Sequence, residues 1–339
     1  METYQPEPEV KSENASKMWV AGIRDKIGRL LLDYGIIVAF IVLCVILTFS
    51  SAYFLMPKNL INVLRQVSIN GFLSIGMTFV ILTGGIDLSV GSVLAFGGIV
   101  GASLVSPMMG GRVYPTAVAV LMGLLGGLGL GAVTGFFIAK WRMSAFVVSL
   151  GMLSVARGLT YIYTDGMPVP QLEKSFLYLG QGAILGIPLP VIIFAVVFII
   201  AWVVLYKTRF GRYVYAVGGN EKSAKISGVN TRLVIFVVYV ISGFLSALAG
   251  LTLSARTSAG LPQAGVAYEL DAIAAVVIGG TSLSGGQGSL TGTLFGALII
   301  GVINNGLDLL GVSSYYQQVI KGAIIVGAVW LDSLRKGKE

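Results

Sequence analysis

Few residues in this chain are equipped for chemistry, and most of those lie in apolar surroundings. Histidine is absent and the single cysteine, Cys44, sits inside an apolar run. His-based acid/base catalysis, His/Cys metal ligation and an intrachain disulfide are therefore excluded. No Gly-x-x-x-x-Gly-Lys-Ser/Thr pattern occurs, and the glycine-rich stretch 279–288 lacks the lysine that would reach phosphates, so nucleotide hydrolysis is not expected of the chain alone. What remains is a scatter of carboxylates, hydroxyls and one arginine. Asp87 stands in Gly84-Gly85-Ile86-Asp87-Leu88-Ser89-Val90-Gly91-Ser92, where glycines can break a helix and expose backbone amides and carbonyls. Irregular backbone at membrane depth is tolerated only where protein or a water-lined cavity satisfies it. Two readings stand side by side: Asp87 and Ser89 border a polar pathway as hydrogen-bonding groups for a hydroxylated solute, or Asp87 caps the next helix in a tight turn on the inner side. Arg157, followed by Tyr161 and Tyr163, either contacts solute in an outward vestibule or snorkels and pairs to fix packing. Glu269 and Asp271 open an apolar run, where a helix dipole favours negative charge. The sharper alternative for that pair is docking of an external partner or guarding an entrance. Asp308 and Lys321 are expected to form an ion pair across the outer end of the last hairpin.

The elements that must hold these groups are set by composition. Of 339 residues, 55% are hydrophobic and only 11% charged, with mean hydropathy +0.88; a soluble chain carries about 25% charged residues. Long apolar runs facing lipid or one another are the consequence. The net charge of +8 lies in short stretches between those runs and reads as a topology signal; no nucleic acid is implied. Runs able to cross ~30 Å of hydrocarbon at ~1.5 Å per residue fall at roughly 34–56, 66–83, 88–107, 115–139, 144–162, 187–206 and 233–254, with two more, broken by glycines, inside 271–311 and a last at 316–332. The expected fold is an all-α membrane protein of about ten transmembrane helices with broken or re-entrant glycine-rich segments. Segments 1–33, 140–143, 207–232 and 333–339 hold most of the Lys and Arg, which places both termini on the cytoplasmic side. Residues 1–30 read as a partly disordered tail with an interfacial segment, 31–333 as one polytopic domain, and 334–339 as a short tail. A cleavable signal peptide does not fit, because the first apolar run is too long.

Two non-membrane stretches are long enough to have a job: an outer loop near 163–186 and an inner loop at 207–232. In the inner loop Asn220 is a good N-cap, Glu221 suits a first turn and Gly228 can end a helix in the left-handed conformation, which predicts a two-turn helix over 220–228. The 46 glycines, many in pairs, read mainly as positions of close helix packing. An internal echo links Thr83-Gly84-Gly85-Ile86-Asp87-Leu88-Ser89-Val90-Gly91 with Ile278-Gly279-Gly280-Thr281-Ser282-Leu283-Ser284-Gly285-Gly286. Transporters often contain repeats, but the copies follow the second and eighth expected spans, an offset that two five-span halves do not give. Either the span count is off in one half or the echo is coincidental.

The segments Gly76–Ser92, Thr208–Gly228, Tyr268–Gly286 and Asn304–Gln317 are long and specific, and through them the chain resembles the ribose-type sugar permeases of ABC importers over nearly its whole length after the N-terminal tail. The resemblance implies a multi-pass permease of the bacterial inner membrane that works as a pair of copies in the lipid bilayer. It implies a cytoplasmic ATPase subunit that carries ATP and Mg, the chain itself binding no cofactor and no metal, and a periplasmic sugar-binding protein that delivers solute. Asn220, Glu221, Lys222, Ala224, Lys225 and Gly228 match the helix that couples the ATPase to the pore, although Ser223 stands where the family signature has a second alanine. Asn304 and Asn305 fall in the last matching segment and join Asp87, Ser89, Arg157 and Tyr161 as candidate pathway residues, with Glu269 and Asp271 as candidates for docking the binding protein. The implied cargo is ribose or a related pentose or hexose. The alternatives are an ABC permease for another small polar solute, such as an autoinducer sugar or a branched-chain amino acid, and an ion-coupled secondary transporter.

Overall fold

Apolar runs of bilayer length become helices almost everywhere, and a glycine at positive φ follows closely where α2 and α12 stop. The computed structural model describes residues 35–336; the expected N-terminal tail and the last three residues of the C-terminal one lie outside that range. In order, the helices are α1 (Gly35–Ser50), α2 (Pro57–Leu82), α3 (Val90–Val105), α4 (Thr116–Trp141), α5 (Ala145–Thr164), α6 (Lys174–Gln181), α7 (Leu189–Lys207), α8 (Arg209–Gly219), α9 (Glu221–Ile226), α10 (Thr231–Thr257), α11 (Tyr268–Ile278), α12 (Leu290–Leu309) and α13 (Ser314–Lys336). Between α6 and α7 a two-stranded antiparallel hairpin pairs β1 (Ala183–Ile184) with β2 (Ile187–Pro188), Ala183 facing Pro188 and Ile184 facing Ile187. Leu185 and Gly186 turn it with φ of 52° and 80°, the positive angles that a two-residue hairpin turn requires.

Among the described residues, six helices are long and apolar enough to cross a membrane: α2, α4, α5, α7, α10 and α12; α1 and α3 are shorter apolar helices. The protein is an all-α membrane protein. The two spans expected inside 271–311 are not equal: α12 is full length, whereas α11 has 11 residues, about 16 Å, or half the hydrocarbon thickness. Expected boundaries also move. α2 starts at Pro57 and not near 66, because Pro57 sits at the helix start and Lys58, Asn59, Asn62 and Arg65 form polar first turns that an apolar run excludes. α1 stops at Ser50, after which residues 51–56 turn and bury Phe54.

α10 is the hub, packed against α4, α3 and α2. The contact is backbone to backbone: a Cβ on Gly127 would overlap the carbonyl of Gly243, one on Gly98 the carbonyl of Gly250, and one on Gly97 the Cα of Ala247. Close approach of this kind is what small residues supply in membranes, where apolar lipid offers no competing drive. α2 is enclosed by α7, α10, α11 and α12, with every residue from Val67 to Leu82 buried. Its Thr78 hydroxyl meets that of Thr293 on α12 at 2.9 Å. α7, the most apolar of the six, fully buries only Pro190, Phe194, Ala201 and Leu205 and leaves Val196, Ile199, Ile200, Trp202 and Val203 exposed, as a lipid-facing helix does.

Candidate functional site

The candidate residues gather at two levels. The first is near the middle of α10. After α2 ends, the chain runs back along α10, and Asp87 becomes 2% exposed. Its Oδ1 accepts from the Ser89 backbone N–H at 3.0 Å and the Ser89 hydroxyl at 2.6 Å, and its Oδ2 accepts from the Ser242 hydroxyl at 2.7 Å. Bonding the N–H two residues on makes this an Asx turn, so Asp87 does not cap the first turn of α3; it fixes the residue that precedes α3 and ties it to α10. Tyr239, one turn before Ser242 on α10, donates to the carbonyl of Ile86 at 3.3 Å.

The segment between α10 and α11 returns to the same level. Gly265, at φ 72°, lies against Gly91, and a Cβ on either glycine would overlap the other's carbonyl oxygen. The Glu269 carboxylate also lies against Gly91. Arg157 reaches across from α5, its Nη1 donating to the carbonyls of Pro262 at 2.5 Å and Ala264 at 2.8 Å, and it attracts Glu269. The N-terminal ends of α3 and α11 therefore meet, with Asp87, Ser89, Arg157 and Glu269 around them. Tyr161, one turn beyond Arg157, is exposed.

Asp271, Asn304 and Asn305 are used elsewhere. Asp271 is 2% exposed, and its Oδ2 accepts from the Lys321 ammonium at 2.9 Å and the Asn304 amide at 3.2 Å. Lys321 thus pairs with Asp271 and not with Asp308, as the sequence had suggested; Asp308 instead accepts from Gln317 at 2.8 Å. Half-length α11 brings Asp271 inside the molecule, where a partly buried Lys321 on α13 is the cation it meets. Asn305 and Asn59 exchange amide bonds at 2.8 and 2.9 Å, tying α12 to α2.

The second level is the end carrying α8 and α9. α9 has the anticipated cap: the Asn220 side chain accepts from the Ser223 N–H at 2.9 Å, and Gly228 follows at φ 85°. Ala224 is buried, while Lys222, Lys225 and Ile226 are exposed, Ile226 at 89%. Glu221 turns back and pairs with Arg142, in the turn between α4 and α5. A polar cleft of about 190 Å³ lies beside this pair, lined among others by Thr83, Gly84, Gly85, Arg142, Glu221 and Tyr239. α8 was not anticipated, although its signals are present: Thr208 as N-cap, and Gly211, Val214 and Val217 on one buried face. Its Tyr215 donates to the carbonyl of Gly288 at 2.9 Å, and Tyr206 of α7 accepts from the Leu290 N–H at 3.0 Å. Burial, with Tyr206 beside it, holds the Tyr215 phenol above its ordinary range, so it stays a donor. Sequence reasoning also missed Ser242, Tyr215 and Arg142 as site residues, since their partners lie 73 or more residues away.

The family described as "branched-chain amino acid transport system / permease component" matches residues 59–329. The chain is 46% identical to the ribose import permease protein RbsC of Haemophilus influenzae, covering 91% of this chain and 95% of that protein. It is 48% identical to RbsC of Bacillus subtilis, covering 92% and 94%, and 40% identical to the D-allose transport system permease protein AlsC of Escherichia coli, covering 87% and 89%. No solved structure matches the chain. Spanning α2 to α13, the glycine turns and the α8–α9 pair together, these likenesses make the chain a member of this family of transport permeases, of the ribose type that its motifs had resembled.

Proposed function

We propose that this chain is the membrane subunit through which a monosaccharide, ribose in the first instance, enters the cell in an ATP-driven importer. The relatives' sugar names favour a pentose or hexose over the amino acids of the family's description. In this reading ten segments, α11 among them as a half-span, embed the chain in the inner membrane, and the Lys and Arg near α8 and α9 favour a cytoplasmic side for that end and for both termini. The observation that carries the proposal is the shape of α9: Glu221 and Ala224 face the body while Lys222, Lys225 and an almost fully exposed Ile226 face out. A lone exposed apolar side chain is ordinary by itself; here it follows Lys222 and Lys225 on the helix that matches the family's coupling segment, and that combination is what we assign to a partner. The ATPase subunit docks there, holding ATP and Mg; a binding protein delivers sugar from the other side, and a second copy completes the pore. Asp87, Ser89 and Arg157 border the sugar's route where the ends of α3 and α11 meet, since broken helices pointing their N-termini inward are where transporters place their sites. The chain is a transporter component and contributes no nucleotide site.

The test is sugar uptake by proteoliposomes containing the chain, its ATPase and its binding protein, with ribose, allose, arabinose and leucine as competing solutes. ATP-dependent ribose uptake, lost with Ile226→Asp because the ATPase no longer co-purifies, is the expected outcome. Uptake by the chain alone on an ion gradient, or preference for leucine, overturns it.

A further inference from the structure

α8 touches the membrane body in a way that α9 does not. Gly218 and Gly219, at its C-terminal end, lie backbone to backbone against two other segments: a Cβ on Gly218 would overlap the Leu82 carbonyl and the Gly286 nitrogen, and a Cβ on Gly286 would overlap Gly219. Gly286 itself donates its N–H to the Leu82 carbonyl at 2.9 Å, and Gly285 lies against Gly84. The end of α2, the loop between α11 and α12, and the end of α8 thus converge with no side chain between them. Tyr215 adds a bond from α8 to Gly288 in the same loop. The link through α9 is of another kind: Arg142 and Glu221 are both more than one-third exposed, so their pair is screened and held by flexible side chains. Backbone packed on backbone has no rotamers to absorb a displacement, whereas an exposed ion pair does.

We propose that α8, through Gly218, Gly219 and Tyr215, is the element that carries the motion of the docked ATPase into the membrane, and that α9 is the docking tip. A displacement of Gly218 acts directly on Leu82, from which the non-helical chain leads in five residues to Asp87 and the meeting ends of α3 and α11. It acts through Gly286 on the loop that leads into α12. One rigid contact therefore moves both glycine turns together. This inference rests on the ATP-driven reading above.

The experiment measures ribose uptake and ATP hydrolysis in the same vesicles, using the assembled complex. Tyr215→Phe, which removes only a hydroxyl, is expected to leave assembly and hydrolysis intact while the sugar moved per ATP falls by about fivefold, the weight of one net hydrogen bond. Ile226→Asp instead releases the ATPase, so uptake and vesicle-bound hydrolysis are lost together, because it acts at docking. A second measurement does not depend on activity: with Cys44→Ser removing the native thiol, spin labels at Ala216→Cys and Gln287→Cys keep one separation in nucleotide-free and ATP-bound complexes, since α8 and the loop move as one body. An unchanged ratio of sugar to ATP in Tyr215→Phe, or a separation that changes with nucleotide, overturns the inference while leaving the importer reading intact. A parent complex that takes up no sugar with ATP removes both.

Discussion

The turn after α2 and the turn after α11 begin alike and end differently. In each, a glycine at positive φ, 79° at Gly84 and 85° at Gly280, stops the helix with two bonds back to its last turn. Gly84 and Gly85 donate to Ile81 and Val80; Gly280 and Thr281 donate to Val277 and Val276. In each, a side-chain oxygen then takes the N–H two residues on: Asp87 from Ser89 at 3.0 Å, Ser282 from Ser284 at 3.3 Å. There the likeness stops. Val90 follows Ser89 and α3 starts at once, whereas Gly285 and Gly286 follow Ser284 at positive φ and hold the chain out of helix until Ser289, whose hydroxyl accepts from Gly292 to begin α12. The capping glycines are also offset by one residue from the sequence alignment, which pairs Gly84 with Gly279. The echo is thus a local stop signal used twice, with Gly84 of one copy packed against Gly285 of the other. The acidic copy lies at the middle of α10, where a carboxylate costs several kcal/mol unless it is engaged, and three hydrogen bonds engage it; the hydroxyl copy needs only one.

That contrast is open to attack by substitution, read as thermal unfolding of the purified chain. Asp87→Ala strands the Ser89 N–H and two hydroxyls and is expected to cost about 3 kcal/mol or more, with Asp87→Asn recovering over half of the loss. Gly286→Ala meets both a positive φ and the Gly219 backbone, for about 2 kcal/mol. Gly280→Ala has the same φ problem but open space around it, so about 1 kcal/mol is expected; a cost equal to that of Gly286→Ala would mean that packing against α8 contributes nothing. Ser282→Ala gives up one long bond and is expected to cost about 0.5 kcal/mol. If it matched Asp87→Ala, the distinction between the two turns would collapse.

Much of this is legible in the sequence itself. The α9 helix was readable because its signals are local: Asn220 and Gly228 act on amides within a few residues of themselves. α8 was passed over because its apolar face is short and three of its last five residues, Tyr215, Gly218 and Gly219, are used for contacts with a loop more than 60 residues away. The Lys321 pairing was misassigned for the same reason: Asp308 is the nearer carboxylate in sequence, but Asp271 is the one folded against Lys321. Asn304 and Asn305 look like solute ligands in a linear reading; in the fold the Asn304 amide N–H donates to Asp271 while its buried Oδ1 has no partner among the described residues, and Asn305 exchanges bonds with Asn59.

By itself the sequence determined that the chain is helical and lives in a bilayer, and that a short capped helix lies between Asn220 and Gly228. Each of these follows from apolar run length and from backbone conformations that only neighbouring residues control. The tertiary structure alone decided that Asp87 bonds Ser242, that Arg157 holds the loop before α11, that α11 is only half a span, and that Gly218 lies on Leu82 and Gly286. These are contacts between distant segments, and a glycine or a carboxylate carries no mark in sequence of the backbone it will meet.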